Sequence, residues 1–452
     1  MRFSSAGVRL IAGSLGIFVL ACAAQQQQAA AAAVACSSTI TTVQGSVRSY
    51  QRVASPSVPH SPQWGWTRLA YGNSEVCLAN LLRDVTLFPN SQATVPIYES
   101  NDVNRQTVTR LVLGVQALGA DSWHYWSNLA NTRNKAWGNN AAFDKSKVSV
   151  IVPQFIRQAD KDAGAATPTD LWFGPDDYGY GGYALGPASV GASAYSTLDV
   201  LDALIRWIEA RYPNVQRIVL VGHSLGAQLI QRYGLLRRDG QGTRARLDYV
   251  IMNAGSYAYP LPARPMAVDV AKCPNYDTWP FGFAVASAVP RYAATDLARL
   301  GRKGLTTRFA GRNVHILLGS EDYASGTTKC EALVQGSYHL SRGRFYATAI
   351  VNATGTQAAY NAAGGNTRFK SSVGRGQAGL PAPWTYDIVS GCAHVQECMY
   401  QSDAGVKRLM LDGYASSASS SSSSSRRRRA RSPRDFATAE QDREEEEEEE
   451  EA

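Results

Sequence analysis

The chain has 452 residues, of which 44% are hydrophobic and 18% are charged, and its formal net charge is +8 at neutral pH. This composition is typical of a globular protein with one large domain or two ordinary ones, and it excludes collagen-like and wholly disordered chains. The sequence has no basic helix interleaved with aromatic residues, so nucleic-acid binding is not predicted.

The N-terminal residues 1–24 have the pattern of a secretory signal peptide. Arg2 and Arg9 precede the apolar stretch "LIAGSLGIFVLACAA", which is too short to span a bilayer comfortably. We expect cleavage near Ala23 or Ala24 and export of the protein. A lipid anchor on Cys22 is the weaker alternative.

The C-terminal residues 415–452 are rich in Ser, Arg and Glu and are predicted to be a disordered tail, because nothing in them can form a core. From Ser416 this tail carries seven Arg and eleven acidic residues, which leaves the body between signal and tail with a net charge of about +10. Such an excess favours a weak attraction to acidic surfaces.

Cysteine usage fits an exported protein. Of seven cysteines, one leaves with the signal, and six remain: Cys36, Cys77, Cys273, Cys330, Cys392 and Cys398. Disulfides are predicted, and fifteen pairings are open. No Cys or His spacing indicates a zinc site.

From about Val95, short apolar runs alternate with longer helical ones. The predicted strands are residues 95–100, 108–115, 147–155, 217–224, 248–256, 313–322 and 384–391. Several are apolar on both faces, as in strands buried between helices. The alternation predicts an α/β fold, with a mostly parallel sheet and helices on both faces.

The helical run at residues 195–213 repeats apolar side chains at Leu198, Leu201, Ile205 and Ile208, which is the spacing of one buried helix face. No internal linker or repeat interrupts residues 37–414, so we expect one domain there. Residues 171–193 form a Gly- and Tyr-rich excursion, and a loop of that length is usually functional or disordered. Binding sites in parallel sheets lie beyond the carboxyl ends of the strands.

The motif Gly222-His223-Ser224-Leu225-Gly226 matches GxSxG between a predicted strand and a predicted helix. Such a sharp strand-to-helix turn, here called the elbow, holds the serine oxygen above the sheet. The N-terminus of the following helix favours developing negative charge. A serine hydroxyl needs a base to take its proton. Ser224 is therefore the candidate nucleophile.

The candidate base is sought after Ser224, because the chain order in this arrangement is serine, acid, histidine. His394 lies in a loop beyond the last predicted strand and is the predicted base. His339 is the alternative, although it is expected to be a half-exposed helical residue. His223 is expected to project to the other side of the turn, and His315 to pack within its strand.

The acid must orient the imidazole and balance its positive charge. Asp322 and Glu321 follow the strand at residues 313–319. Asp322 is the predicted acid, and Glu321 is kept open because a slip of one residue in the turn would exchange them. The expected oxyanion donors are the backbone N–H of Leu225 and one at Val115 or Gln116.

These residues resemble the secreted microbial α/β-hydrolases of the esterase type. The resemblance covers residues 95–400 and includes "LVLGVQALGADSWHYW", "YPNVQRIVLVGHSLGAQLIQRYG", "CPNYDTWPFG" and "HILLGSED". It implies the α/β-hydrolase fold, with Ser224 as nucleophile, Asp322 as acid and His394 as base. The chain departs from the family where Leu113-Gly114 replaces the common His-Gly.

The resemblance implies an exported enzyme that hydrolyses a small-molecule or polymer-borne carboxylic ester through an acyl-enzyme, with no metal or organic cofactor. The alternatives are a non-catalytic binding protein on the same fold and the same triad acting on an amide or thioester. Cys392 and Cys398 bracket His394, and our hypothesis is that they form a disulfide that fixes the base. Oligomeric state and acyl group are left open.

The aromatic residues near the predicted site allow two interpretations. They are Tyr178, Tyr180, Tyr183, Trp123 and Trp126. They suit a pocket for sugar or phenolic esters, but core and loop packing is the more usual role of such residues.

Overall fold

The computed structural model describes residues 39–41, 48–61, 64–354 and 380–414. The predicted signal peptide, the predicted tail and Cys36 lie outside the described residues, so those expectations stay predictions.

Twelve strands occur in the described residues. They are β1 Thr39–Thr41, β2 Tyr50–Arg52, β3 Ala79–Leu82, β4 Ile97–Ser100, β5 Arg110–Val115, β6 Val148–Pro153, β7 Ile156–Arg157, β8 Trp172–Phe173, β9 Arg217–His223, β10 Arg246–Met252, β11 Asn313–Gly319 and β12 Thr385–Val389. Eight of them form the central sheet in the order β12-β11-β10-β9-β5-β6-β4-β3.

The six strands from β12 to β6 in this order pair in parallel, whereas β4 and β3 at the other edge are antiparallel. Every residue of β5 and β6 is buried, which means that both faces of the sheet are covered there. The predicted fold class, a mostly parallel sheet within an α/β protein, is confirmed.

Nine α-helices surround these strands within the described ranges. They are α1 Ser122–Asn139, α2 Gln158–Asp162, α3 Thr197–Arg211, α4 Leu225–Leu236, α5 Arg291–Ala310, α6 Cys330–Leu333, α7 His339–Ala353, α8 Gln396–Gln401 and α9 Asp403–Val406. No helix in the described part of the chain is long and apolar enough to cross a membrane.

Helix α3 forms where the apolar spacing predicted it. Its four repeating apolar residues are all buried, and Ser196 caps its N-terminus by accepting a hydrogen bond from the Asp199 backbone N–H. The Asp199 carboxylate in turn accepts from the Ser196 backbone N–H, which completes a capping box. Local capping and periodicity therefore agree about this helix.

All seven predicted runs contain a strand of the central sheet, but the sheet begins earlier than predicted. Strand β3 was not expected, because only Ala79 of its four residues is fully buried and the segment carries no alternating pattern. An edge strand of this kind gains its stability from pairing with β4 and leaves a weak mark on the sequence.

The sheet brings three predicted site residues to one edge. Ser224 follows β9, Asp322 lies three residues after β11, and His394 lies five residues after β12. Because β9, β10, β11 and β12 are parallel neighbours, their carboxyl ends share that edge.

Candidate active site

Ser224 occupies the sharp turn between β9 and α4. It has the backbone angles φ 56° and ψ −119°, which place a non-glycine residue in a strained region. Its N–H donates to the carbonyl oxygen of Met252 at 3.0 Å, which ties the turn to the end of β10. The side chain is half-buried and precedes the first turn of a helix in which every residue is buried.

The two glycines of the motif are required by close backbone contacts. A Cβ on Gly222 would lie 2.2 Å from the carbonyl carbon of Gly226, and a Cβ on Gly226 would lie 2.6 Å from the carbonyl oxygens of Val115 and Gln116. These contacts are with backbone atoms that cannot move aside. The motif therefore sets how closely the elbow approaches the end of β5.

Asp322 is fully buried and accepts hydrogen bonds from two imidazoles. His394 Nδ1 lies 2.7 Å from Oδ2, and His339 Nδ1 lies 3.0 Å from Oδ1. Burial by itself raises the pKa of the Asp322 carboxyl, but the bonds from His339 and His394 outweigh it and hold that pKa well below its usual range. The carboxylate is ionised at neutral pH.

Glu321, the open alternative for the acid, is exposed to solvent. Its backbone N–H donates to the carbonyl oxygen of Cys392 at 3.0 Å. The turn after β11 thus points Asp322 inward and Glu321 outward, which the sequence did not distinguish.

His394 keeps part of its ring in solvent, with 27% of the side chain exposed. Since Nδ1 bonds to Asp322, Nε2 is the nitrogen that is free to accept a proton from another group. Its ring centroid lies 4.6 Å from that of His223, the residue directly before Ser224. The imidazole thus sits beside the elbow.

Asn253 connects the strand ends around the two loops. Its side-chain oxygen accepts from the Gly319 N–H at 2.8 Å, and its Nδ2 donates to the carbonyl oxygen of Ala393 at 3.3 Å. This residue holds the acid loop and the histidine loop in register. The sequence interpretation missed it, since only the parallel pairing of β10 with β11 brings it between the two loops.

Two expectations about histidines were wrong. His339 is not half-exposed but buried at the start of α7, against Asp322. His223 does not project away from the site, because its ring packs against His394. His315 packs within β11 as expected, with Nδ1 2.8 Å from the hydroxyl oxygen of Thr385.

The His223 ring is almost completely buried, and neither of its nitrogens has a hydrogen-bond partner among the described residues. Burial, with a smaller contribution from the neighbouring His394, lowers the pKa of His223 well below its ordinary value. Burial also lowers the pKa of His339, against the opposing bond to Asp322.

We expect the free energy of unfolding to fall as the pH drops below about 6.5, the ordinary histidine pKa. The unfolded chain then binds protons that the buried His223 and His339 do not take up, and stability is lost as pH falls. Protonation linked to Asp322 lowers the free energy of unfolding only below about pH 4, which is the usual pKa of an aspartate in an unfolded chain. Melting temperatures at pH values between these limits test the expectation. His223→Gln should lose less stability on acidification than the wild type, and a melting temperature that rises on acidification would contradict the prediction.

A small cavity of about 100 Å³ adjoins the elbow. Ser224 and Leu225 line it, and its other walls include Leu118, Tyr180, Gln228, Gly255, Ser256, Phe281 and Lys329. A larger and more open depression of about 760 Å³ lies behind the loop of Cys392 and Cys398, but Ser224 does not line it. The space relevant to Ser224 is the smaller one.

The predicted oxyanion residues surround the elbow. Leu225 begins α4 at the cavity, and the carbonyl oxygens of Val115 and Gln116 face the Cα of Gly226. The Gln116 side chain donates to the carbonyl oxygen of Phe155 at 2.6 Å, so only its backbone is available to the site. The predicted donors remain a proposal.

The aromatic candidates have three different surroundings. Trp123, Trp126 and Tyr178 are buried, and the Tyr178 hydroxyl donates to the carbonyl oxygen of Ala117 at 2.5 Å. Tyr180 lines the cavity. Tyr183 accepts from the Arg291 N–H at 2.6 Å. Packing therefore accounts for most of them.

Two disulfides occur in the described residues, Cys392–Cys398 and Cys273–Cys330, each with Cα atoms 5.8 Å apart. The hypothesised disulfide around His394 is thus present in the structure. The other one joins the segment after β10 to the start of α6, next to the cavity residue Lys329.

Two groups of possible metal ligands occur in the part of the chain described. One is Cys273, Cys330 and Glu331, whose cysteines are joined in a disulfide. The other is Asp322 with His339 and His394. In this second group the carboxylate already accepts a hydrogen bond from each ring.

The strand order and the position of the elbow decide the fold. A serine elbow follows the central strand β9, and an acid and a histidine follow strands further toward one edge of the same sheet. The chain has the α/β-hydrolase fold.

No family model matches the sequence, and no curated protein matches it. The chain is similar to several solved structures. Each of the three named here aligns with 74% of this chain. A poly(3-hydroxybutyrate) depolymerase, LpqC from Bordetella parapertussis, is 18% identical, with 90% of its chain covered and a TM-score of 0.46. Poly(aspartic acid) hydrolase-1 from Sphingomonas sp. KT-1 is 20% identical, with 97% covered and a TM-score of 0.42. Esterase Est22 is 11% identical, with 79% covered and a TM-score of 0.35.

Proposed function

We propose that the protein is an exported serine hydrolase that cleaves carboxylic esters by acyl transfer. The observation that carries the proposal is the hydrogen bond of 2.7 Å between His394 and the buried carboxylate of Asp322, beside the strained elbow of Ser224. A strained serine next to an imidazole that a buried carboxylate orients is the arrangement that nucleophilic catalysis requires.

In the proposed reaction, Ser224 Oγ attacks the ester carbonyl carbon while His394 Nε2 takes its proton. The tetrahedral intermediate collapses, the C–O bond to the alcohol breaks, and His394 returns the proton to the leaving alcohol. A water molecule then attacks the acyl-serine with His394 again as the base, which releases the acid and restores the Ser224 hydroxyl.

Asp322 orients His394 and stabilises the imidazolium that forms in both steps. The negative oxygen of the intermediate is held by hydrogen bonds from the Leu225 N–H and from an N–H at Val115 or Gln116. The N-terminus of α4 adds to this stabilisation, because the helix dipole favours negative charge there. Backbone donors of this kind do not depend on the loop histidine that the chain lacks.

Labelling with a fluorophosphonate tests the proposal, because this reagent reacts with an activated serine. We expect the wild-type protein to be labelled on the tryptic peptide 218–232, whose one serine is Ser224. Ser224→Ala should lose the label, whereas Ser189→Ala, which removes an exposed serine, should keep it. A folded wild-type protein that takes no label would overturn the proposal and favour a non-catalytic binding protein.

We further infer that the protein acts outside the cell. The apolar segment at residues 10–24 and the two disulfides support export, since disulfides persist in oxidising compartments. N-terminal sequencing of protein from the culture medium should find a chain that begins just after Ala23 or Ala24.

Short acyl chains are the expected substrates. The cavity of about 100 Å³ beside Ser224 is smaller than the ~300–1,000 Å³ of sites for drug-sized ligands. With 4-nitrophenyl esters, kcat/KM should fall about tenfold or more from butyrate to octanoate, because each methylene that does not fit costs about 1–3 kcal/mol.

Phe281→Ala removes a ring from the cavity wall and should shift the preference toward the longer ester. Phe88→Ala serves as the control, because Phe88 stacks on Tyr195 and does not line this cavity. A wild-type enzyme that prefers octanoate would contradict this expectation.

Removing the disulfide around His394 is expected to lower kcat more than it raises KM. In the double variant Cys392→Ser/Cys398→Ser, the loop that carries the base gains freedom, and unfolding should become easier by about 2 kcal/mol. The matched control is Cys273→Ser/Cys330→Ser, which loosens the wall near Lys329 and should act mainly on KM. Equal effects of both variants on kcat would argue against a role of the first disulfide in holding the base.

A further inference from the structure

The Asp322 carboxylate is shared between two imidazoles. Orienting a base requires one of its oxygens, and Oδ2 serves His394 at 2.7 Å. The other oxygen, Oδ1, accepts from His339 at 3.0 Å, and the side chain of Asp322 has no exposure to solvent. The second oxygen is therefore fixed by a side chain that the mechanism above does not use.

His339 is held in this position by several contacts. Its ring stacks on the ring of His394, with centroids 4.1 Å apart and planes inclined by 18°. The backbone N–H of His339 donates to the carbonyl oxygen of Ala324 at 3.1 Å. The backbone N–H of the next residue, Leu340, donates to the backbone carbonyl oxygen of Asp322 at 3.2 Å. The N-terminus of α7 is thus bonded to the acid loop itself.

The ring of His339 fits a space that Gly326 leaves open. A Cβ on Gly326 would lie 2.4 Å from the ring Nε2. Gly326 has a φ of 63°, a conformation that side chains rarely adopt. The surroundings therefore favour one orientation of the ring, with Nδ1 toward Asp322.

Burial and the neighbouring positive charges disfavour the charged form of His339. The titratable groups near the two rings are Asp322, His223 and Arg342, and Tyr257 in turn lies near Asp322 and Arg342. Arg342 is a buried cation that donates to the carbonyl oxygens of Gly255 and Ser325. Burial, with smaller contributions from His394 and Arg342, lowers the pKa of His339 against the opposing bond to Asp322.

We propose that His339 is a positioning residue, which acts on the reaction by fixing the Asp322 carboxylate so that Oδ2 faces His394. This inference rests on the proposed function. A neutral imidazole suits the task because it donates one hydrogen bond to Asp322 and adds no second positive charge beside His394. Without it, Oδ1 has lost its donor, so the carboxylate is free to rotate, and the negative charge that both rings shared faces His394 alone.

Two substitutions separate the hydrogen bond from the ring. His339→Phe keeps a stacked ring and removes the Nδ1 donor, whereas His339→Asn places an amide donor near the position of Nδ1 and removes the ring. For His339→Phe we expect kcat/KM to fall about 10- to 100-fold, as for the loss of other supporting hydrogen bonds. We expect His339→Asn to recover most of that loss.

The pH profile gives a readout that packing alone would not move. The acidic limb of kcat/KM reports the protonation of the base. In His339→Phe this limb should move up by roughly one pKa unit, because Asp322 then stabilises the His394 imidazolium more strongly. In His339→Asn the limb should stay near its wild-type position. Rates are divided by the fraction of protein that a fluorophosphonate labels, so misfolded molecules do not affect the comparison.

A measurement without turnover distinguishes this inference from the proposed function. In the wild-type protein, proton NMR should show two downfield Nδ1 protons, one from each imidazole on Asp322, and His339→Phe should lose one and shift the other. Two such signals in a protein that takes no fluorophosphonate label would overturn the proposed function and, with it, this role of His339.

One downfield signal, an unchanged pH profile in His339→Phe, or better activity in His339→Phe than in His339→Asn would each overturn the positioning role. Loss of all activity in both His339 variants, with activity kept in His394→Ala, would mean that His339 is itself the base and would overturn it as well.

Discussion

Ser224→Ala is expected to lower kcat for ester hydrolysis by about 10⁴-fold or more, with KM changed little. The variant removes the one hydroxyl that the strained elbow presents at the cavity, so no acyl-enzyme can form. Its melting temperature should stay near that of the wild type, because the side chain is half-buried and small. Steady-state kinetics with a 4-nitrophenyl acetate substrate and a thermal melt measure the two effects.

A residual rate is expected in Ser224→Ala, since the proposed backbone donor at Leu225 would still stabilise a tetrahedral intermediate formed by water. The decisive comparison is the acyl-enzyme burst, which the wild type should show and the variant should lack. An alanine variant that keeps more than about a tenth of the wild-type kcat would show that the nucleophile lies elsewhere.

Asp322→Asn is expected to lower kcat by about 10⁴-fold. The carboxylate accepts from both His394 and His339, whereas an amide has only one oxygen to accept with and presents an N–H₂ to the other ring. One imidazole therefore loses its acceptor or changes its tautomer. We also expect a loss of stability of about 1–3 kcal/mol, because a buried donor is left without a partner.

Glu321→Gln is the matched control for Asp322→Asn, since it makes the same chemical change at the neighbouring exposed position. Its kcat and its melting temperature should equal those of the wild type. If Glu321→Gln had the larger effect on kcat, the acid would be Glu321, and the orientation of the turn after β11 would differ in the active protein. Circular dichroism on both variants separates lost chemistry from lost fold.

The sequence was sufficient where a local pattern decides the structure. Helix α3 follows from apolar spacing and a capping box, and the seven predicted strands follow from apolar runs bounded by polar turns. The elbow follows from Gly222, since only glycine allows its close contact with the Gly226 backbone. In each case the deciding interaction lies within a few residues along the chain.

The sequence was insufficient where residues far apart along the chain meet. Asp322 and His394 are separated by 72 positions, and which of two adjacent carboxylates turns inward depends on how β11 and β12 pair. His339 was expected on a half-exposed helix face, because nothing in its neighbours indicates that the start of α7 packs on the acid loop. Strand β3 was missed because its pairing with β4 leaves no periodic pattern.

The sequence by itself determined the α/β class, the elbow around Ser224 and the candidate acids and bases, because spacing and glycine chemistry are local properties. Only the tertiary structure decided that Asp322 faces inward, that it bonds to His394 and His339 together, and that the space beside Ser224 is small. These features arise where the ends of separate strands converge on one edge of the sheet, and pairing between distant segments creates them.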